Sequence, residues 1–333
     1  GTKVLLLNIC LISLLLVVIA AIHFGNYKIP IIDVFNVIAY NLGFGLKPVL
    51  KINIVVWEVR VPRTLLAAAV GMALSVAGAV FQGLFRNPLV EPYILGVSAG
   101  AACGAAVSIV LSCWILPVKF TAFIFAMLAM GIAYGLATNK KETPLVNLIL
   151  AGIIVNAIFT AVLNYLKIAA GDKQLREITF WIMGGFYTAN WENVVSLFPL
   201  IIIGILIIWA FGWKLNVLTM GDQEARSMGV SVGILKLILI STATFITAIS
   251  VSTVGIISWV GLMVPHMARM TIGPDHRYLI PLSALMGGIF LVICDTLART
   301  LIMGEVPISI ITSFVGAPYL IYLLRTNRQV YFE

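Results

Sequence analysis

Long apolar runs that contain no charged residue are the feature that most constrains how this chain can fold. Residues 4–22, 92–112 and 193–212 are three such runs. A membrane-spanning helix needs about 20 predominantly apolar residues. Lipid offers no hydrogen-bond partners to the backbone, and a β-barrel would show alternating segments of about ten residues, so these runs predict transmembrane helices. The first run is too long for a signal-peptide core and is predicted to be retained as a helix.

The composition gives the number of helices. Of the 333 residues 61% are apolar, whereas only 21 are Lys or Arg and 13 are Asp or Glu. Globular domains average about 25% charged residues, so a soluble enzyme, a disordered chain, a nucleic-acid-binding domain and a secreted disulfide scaffold are all excluded. We predict an all-α integral membrane protein that forms a single domain over residues 1–333. Its helices, about ten in number, should lie at roughly 4–24, 62–83, 92–112, 118–137, 144–167, 193–212, 232–252, 256–270, 278–298 and 307–324.

The loops suggest how the chain is oriented. An even number of spans places both termini on one side of the membrane. Basic residues of short loops and of the C-terminus, at 140, 141, 269, 277, 325 and 328, favour the cytoplasmic side for the termini, although the complete tally of basic residues is nearly even. The net charge of +8 therefore reflects topology, and no nucleic acid is expected as a partner. Residues 25–61, with an amphipathic stretch at 29–42, should lie at the outer interface, and residues 213–231 should offer a cytoplasmic surface.

Small and polar residues recur on single faces of the predicted helices. Every fourth residue is small at Ala67, Gly71, Ser75, Ala79 and Gly83 of the second helix and at Gly96, Gly100, Gly104, Ser108 and Ser112 of the third. Such ridges are typical of close helix packing in lipid, with the lining of a pathway as the alternative. In the fifth helix Asn156, Thr160 and Asn164 share one face, where they either line a pathway or form hydrogen bonds between helices.

The chain lacks the residues that would power or catalyse a reaction by itself. Its acidic residues cluster at helix ends, whereas a proton- or sodium-coupled transporter needs buried carboxylates. It has no GxxxxGK[ST] phosphate loop, no HExxH zinc motif and no paired-cysteine spacing, so we expect neither an enzyme nor a metal site. His266 beside Pro265 could be imagined as a metal or haem ligand, but a lone histidine next to a helix-breaking proline is more often structural. A secondary transporter or channel that needs no ATPase remains the alternative.

Several motifs, in this order, resemble the permease subunits of ABC importers for iron-siderophores, haem and cobalamin, the FecCD-like type II importers. They are RVPRTL at 60–65, GLFRNPL at 83–89, EPYILGVSAG at 91–100, GDQEARSMGV at 221–230, GIISWVGLMVPHMAR at 255–269, GPDHR at 273–277, DTLAR at 295–299, EVP at 305–307 and GAP at 316–318. The family's plan of ten helices with both termini inside agrees with the independent span count.

The resemblance implies a homodimeric permease in a prokaryotic cytoplasmic membrane, with its pathway at the two-fold interface. It further implies two cytoplasmic ATPase subunits and an extracytoplasmic substrate-binding protein. ATP and Mg would be bound by the ATPases, so this chain would bind no cofactor itself and would work by ATP-driven alternating access. The family transports ferric siderophores, haem, cobalamin and some oxyanions such as molybdate. We rank ferric chelates or haem first, cobalamin second and an oxyanion third.

The resemblance also assigns residues at the two ends of the molecule. Arg60, Arg63 and Arg299 match the family's arginines that meet acidic residues of the binding protein, although interfacial arginines also reach lipid headgroups without any docking role. Asp295 could pair with Arg299 at i, i+4. Residues 219–230 match the family's coupling segment, including Gly221, Glu224, Ala225, Arg226 and Gly229, although a solvated surface helix would have the same composition. Gly229 can end that helix. Asn156, Thr160, Asn164, Pro265 and His266 are the candidates for the pathway or its gate.

Overall fold

The computed structural model describes residues 1–111, 116–138, 143–301 and 304–326. Cys113 and three of the basic residues used to orient the chain, Lys140, Lys141 and Arg328, lie outside this described part. The helices are α1 (Thr2–His23), α2 (Ile31–Asn41), α3 (Leu50–Asn53), α4 (Val61–Phe85), α5 (Val97–Val110), α6 (Val118–Ala137), α7 (Leu145–Ala169), α8 (Asp172–Met183), α9 (Trp191–Ala210), α10 (Gly212–Met220), α11 (Asp222–Ser227), α12 (Val232–Val254), α13 (Val260–Ile272), α14 (His276–Thr300) and α15 (Ile308–Thr326).

The all-α prediction is confirmed, and the predicted spans correspond to helices. Among the described residues, 7 helical stretches are long and apolar enough to cross a membrane: α1, the stretch that ends with α4, α6, α7, α9, α12 and α14. The shorter helices α5, α13 and α15 occupy the remaining predicted spans. We call the end of the bundle that carries both termini the inner end, following the predicted orientation, and the opposite end the outer end.

The second predicted span begins earlier than expected. It forms one helical stretch of 36 residues, Leu50–Phe85, that includes π-helical turns at Ile54–Arg60. Pro62 does not interrupt it, because it directly follows the π-helical turns, and such local changes in helical winding accommodate proline inside a membrane helix. The predicted outer segment 25–61 is therefore too long: only the part before Leu50, which contains the expected amphipathic helix α2, lies outside this helix.

Helix α4 is the centre of the bundle. Between Val61 and Leu84 every residue except Leu65 and Met72 is buried, as expected for a helix that is apolar on all its faces. Its small residues allow the backbones of neighbouring helices to come close. A Cβ atom at Gly71 would collide with the backbone of Gly287 in α14. The small-residue ridge of this helix therefore serves close packing, which confirms that interpretation.

The ridge of α5 serves the same purpose. Cβ atoms at Gly100 and Gly104 would press on the carbonyl groups of Phe125 and Thr121 in α6. Close approach to α6 thus explains Gly100 and Gly104, whereas Gly96 lies against Val155 of α7 and the Ser108 hydroxyl donates to the carbonyl of Leu116. Ser112 lies outside the described residues.

The helices α5 and α13 are short because an irregular segment precedes each of them. The expected starts at residues 92 and 256 are wrong: the helices begin at Val97 and Val260. Residues 86–96 form turns that end at Gly96, whose φ of 78° is left-handed, and residues 255–259 end at Trp259 with a φ of 75°. The two segments meet, since the hydroxyl of Tyr93 donates a hydrogen bond of 2.8 Å to the carbonyl of Ile257. Non-helical backbone at membrane depth is tolerated where protein covers it.

The contact between α4 and α13 generates a prediction. A Cβ atom at Gly78 would collide with the carbonyl oxygen of Gly261, which is backbone and cannot rotate away. We expect Gly78→Ala to lower the free energy of unfolding by about 1–3 kcal/mol, the usual cost of overpacking. Gly131→Ala in α6 is the matched control: nothing lies within 4 Å of its Cβ position. A control that loses as much stability as Gly78→Ala in a denaturant titration of the detergent-solubilised protein would contradict this account.

Candidate functional sites

At the outer end, arginine side chains bind the last turn of α1. Arg60 donates hydrogen bonds of 3.1 Å and 2.7 Å to the carbonyls of Ile22 and His23. Arg299 donates to the carbonyl of Ala21. The last carbonyls of a helix have no partner within the helix, and cations are favoured there by the helix dipole. These two arginines therefore fasten α1 to the π-helical turns just before α4 and to α14.

The third arginine joins the same cluster through carboxylates. Arg63 donates bonds of 2.9 Å and 2.8 Å to Asp295 and one of 2.6 Å to Glu305. Asp295 also lies 3.6 Å from the Nε atom of Arg299, which confirms the expected i, i+4 pair. Two arginines thus neutralise one carboxylate that is only 1% exposed, and the pairs tie α4 to α14.

This burial differs from the expectation that the three arginines face outwards. Arg60, Arg63 and Arg299 are 4%, 6% and 9% exposed, because each is occupied by a partner within the chain. Glu305 is the accessible member of the cluster, with 46% of its side chain exposed. The sequence brings the arginines to one end of the molecule, but docking through them stays a prediction.

At the inner end, the segment predicted to couple to an ATPase forms α10 and α11 with a sharp turn between them. Gly221 lies at the turn with a φ of 142°, a backbone conformation that residues other than glycine rarely adopt. Gly229 ends α11, as predicted: its φ is 80°, its N–H bonds to the carbonyl of Arg226, and the N–H of Val230 bonds to that of Ala225. Ala225 is fully buried, whereas Glu224, Arg226 and Met228 are exposed. The result is an anchored helix with an outward-facing polar surface.

A buried lysine connects this helix to the membrane domain. Lys236 of α12 is 2% exposed, and its Nζ atom lies 2.6 Å from a carboxylate oxygen of Asp222 at the start of α11. The same amine donates a bond of 3.3 Å to the carbonyl of Thr143, just before α7. Sequence reasoning missed Lys236. A lone basic residue in the first turns of an apolar helix, next to an acidic segment, was the signal that could have found it.

A second connection runs from α10 to α14, and sequence reasoning missed it as well. The Asn216 side-chain oxygen accepts a bond of 2.8 Å from the backbone N–H of His276 and lies 2.7 Å from that residue's Nδ1 atom. The amide of Asn216 donates to Asp275 at 2.7 Å. Hydrogen bonds from Arg277 and Asn216 hold the pKa of the Asp275 carboxyl well below its usual range, so this cap of α14 stays ionised.

The polar face of α7 lies open in the single chain. Asn156 and Asn164 are exposed and Thr160 is half-buried, beside exposed apolar residues such as Ile153 and Ile168. Amide groups in a transmembrane helix are unfavourable against lipid tails and normally face protein or water. One copy of the chain therefore leaves this polar face without the protein or water that it would normally contact.

The Pro265–His266 step lies within the protein. Pro265 is buried in α13, and the His266 ring, whose residue is 5% exposed, packs edge-on against Tyr319 of α15 at 6.2 Å between ring centroids. This environment favours the structural interpretation of His266. A role in the gate stays a prediction.

Comparisons with known proteins identify relatives along nearly the whole chain. The model of the FecCD transport family matches residues 13–326. The cobalamin import permease BtuC of Halobacterium salinarum is 41% identical over 84% of this chain and 75% of that protein. The hemin transport permease HmuU of Yersinia pestis is 38% identical over 82% of this chain and 84% of that protein.

A solved structure has the same fold. It is described as an inward-facing conformation of a metal-chelate type ABC transporter, and it superimposes with a TM-score of 0.85 at 30% identity. The match covers 96% of this chain and 98% of that one. The architecture described above is thus shared over nearly the whole of both chains.

Proposed function

The chain belongs to the FecCD transport family, and from this premise we propose that it carries a large metal chelate across the membrane as one half of a homodimeric permease. It is an integral protein of the inner membrane and the permease component of an ABC importer. It is not an enzyme, since ATP is hydrolysed on a separate subunit. The observation that carries the proposal is the open polar face of α7.

A second copy of the chain would complete that face. In a two-fold dimer the same surface of both copies meets at the axis. Asn156, Thr160 and Asn164 of the two copies would then line a shared, water-filled pathway rather than contact lipid. This arrangement removes the cost of exposing amides to hydrocarbon, and it gives the pathway polar groups without any fixed charge.

The chemistry of this lining supports a large metal chelate as the substrate. Uncharged amide and hydroxyl groups between isoleucines suit a bulky ligand whose surface is part polar and part apolar. A small oxyanion would instead need cationic donors to replace its hydration, and the face from Asn156 to Asn164 contains none. We therefore propose a ferric siderophore or haem as substrate, with cobalamin second and an oxyanion third.

Movement of the coupling segment would reach the pathway through Lys236. In the proposed assembly two ATPase subunits, which bind ATP and Mg, contact the exposed face of α11 through Glu224 and Arg226. Gly221 and Gly229 bound this helix, and buried Ala225 anchors it. The ion pair between Lys236 and Asp222 would pass a displacement of α11 to the Thr143 carbonyl and so to α7. A secondary transporter, the alternative, would need no such connection.

An extracytoplasmic binding protein that docks at the outer end would compete with Glu305 for Arg63. The guanidinium of Arg63 already binds Glu305, which is half exposed and hence replaceable. A carboxylate of the binding protein could take the place of Glu305 without uncovering the buried pair with Asp295. We therefore propose that Arg63 is the contact, with Arg60 and Arg299 holding its surroundings in place.

Cysteine cross-linking tests the dimer. In a background without the native cysteines, Asn164→Cys should form a covalent dimer with a bifunctional maleimide, because the proposed axis brings both copies of this face together. Leu16→Cys on α1, where Leu16 is 62% exposed, should remain monomeric. Equal yields at the two positions, or cross-linking of Leu16→Cys alone, would place the dimer interface elsewhere.

Reconstituted transport tests the mechanism and the substrate together. Vesicles with the ATPase and the binding protein should take up a ferric chelate or haem, in preference to cobalamin and molybdate, and only with ATP. Lys236→Met removes the ion pair with Asp222 and should lower transport per ATP hydrolysed by about fivefold, which corresponds to about 1 kcal/mol. The surface double variant Glu224→Ala with Arg226→Ala should act in the same direction.

Lys214→Met, at an exposed lysine of α10, is the matched control and should leave the ratio of transport to hydrolysis unchanged. Uptake that continues without ATP would favour a secondary transporter. An unchanged ratio in Lys236→Met would remove this lysine from the coupling path.

Binding measurements test the competition at Arg63. Glu305→Gln should strengthen the binding protein's affinity by up to about fivefold, since an exposed ion pair is worth about 0.2–1 kcal/mol. Arg63→Gln should weaken it, and binding to the wild type should fall with salt. If Glu305→Gln leaves the affinity unchanged and Arg63→Gln lowers only the melting temperature, the arginines are structural. Lys47→Gln controls for the general charge of the outer surface.

A further inference from the structure

An apolar groove opens to the membrane near the inner end, away from α7. It has a volume of about 350 Å³ and lies between α1, α9 and α14. Leu11, Leu206 and Trp209 on its walls are 46%, 51% and 49% exposed, and Ala284 forms part of its floor. The walls match hydrocarbon, and the opening faces the lipid side of α1. None of the proposed pathway, coupling or docking residues lines it.

Cationic groups lie at the inner mouth of this groove. Trp209 donates a bond of 2.9 Å to the carbonyl of Arg277, so the groove and this residue are directly connected. The Lys3 amine stands 5.0 Å from the centroid of the Tyr278 ring, and the Arg277 guanidinium stands 6.0 Å from it. Both cations thus lie within 6.0 Å of the same aromatic ring, near the membrane surface.

Both cations have N–H donors that can still bind an anion. Arg277 uses its Nε and Nη2 atoms for Asp275, which leaves the Nη1 donors without a partner in the described part of the chain. Lys3 forms no ion pair with any carboxylate of the described residues. The mouth is therefore net positive, and 58% of the Arg277 side chain is exposed.

A lone amide lies on the groove wall near its inner end, among apolar residues. Asn8 lines the groove and is exposed, and its side chain makes no hydrogen bond within the described part of the chain. At 1.5 Å of rise per residue it stands about 7.5 Å deeper along α1 than Lys3. Along the membrane normal, the cations next to the groove therefore come first, and the hydrogen-bonding amide and the apolar residue Leu11 on the groove wall lie deeper.

We propose that this groove is a binding site for an anionic phospholipid of the inner leaflet. The phosphate lies between Lys3 and Arg277, the Asn8 amide donates to an ester carbonyl of the glycerol region, and one acyl chain occupies the trough between α1, α9 and α14. Along the membrane normal, the order of the cations, the amide and the apolar walls is the order in which a phospholipid presents its matching groups. A negative headgroup fits because the mouth is cationic and the cytoplasmic leaflet is rich in anionic lipids.

Native mass spectrometry of the full-length chain in detergent tests the site. The chain is titrated with phosphatidylglycerol or with phosphatidylcholine of the same acyl chains, and the lipid-bound fraction is measured. The wild type should retain phosphatidylglycerol in preference. Lys3→Gln should lower its retention about fivefold, which corresponds to about 1 kcal/mol, and should leave phosphatidylcholine unchanged. Lys3→Arg should bind like the wild type.

Matched variants separate this groove from general contact with lipid. Leu206→Trp fills the trough and should reduce retention of both lipids. Ile203→Trp is its control, on the same helix and 53% exposed but outside the groove. Lys173→Gln in α8, at the outer end, should have no effect.

Three results would overturn the proposal: equal retention of the two lipids by the wild type, retention of phosphatidylglycerol by Lys3→Gln at the wild-type level, or binding that Leu206→Trp does not reduce. The last result would indicate a surface charge without an acyl-chain site. The substituted side chains lie at the surface, and Lys3→Arg and Ile203→Trp report whether the variants still fold.

Discussion

The structure depends above all on the fact that hydrocarbon offers the backbone no hydrogen-bond partners. Every segment at membrane depth must therefore be helical or be covered by protein. The irregular segments that precede α5 and α13 obey this rule by meeting each other, with Tyr93 bonded to the backbone of Ile257. They can do so only because α4 lets its neighbours come close. Small residues in α4 are thus a condition for the two broken spans, since a larger side chain at Gly78 would displace α13.

The same constraint explains the charged cluster at the outer end. The last carbonyls of α1 need donors, and the guanidinium groups of Arg60 and Arg299 supply them from other helices. The buried charge of Arg299 needs a counter-charge, and Asp295, which is itself almost inaccessible, pairs with Arg299 and with Arg63. A buried ion pair adds little stability by itself, but loss of one partner is costly. The cluster therefore fixes the mutual position of α1, α4 and α14 and leaves Glu305 as its accessible edge.

Much of this could be predicted from the sequence, and the failures have a common cause. Hydropathy and residue spacing place the spans, the ridges and the end of α11 at Gly229, because these follow from local chain properties. The partners of Arg63 lie 232 and 242 residues away in the chain, so periodicity shows which end of the molecule it occupies but not that it is buried. The starts of α5 and α13 were missed for the same reason. An apolar segment predicts a helix from its composition alone. Only the structure shows where a distant segment supplies its hydrogen bonds instead.

The inner end presents two connections that differ in kind. Lys236 joins α11 to the backbone before α7 through an ion pair, and Asn216 joins α10 to the first turn of α14 through hydrogen bonds. Since α14 packs against α4, the second connection ends beside the most deeply buried helix of the bundle. The connection through Lys236 ends just before α7, whose polar face is open in the single chain. A displacement of the coupling segment would therefore be resisted on the α14 side and transmitted on the α7 side. Such a displacement would tilt α7 relative to the core and leave the packing around α4 intact.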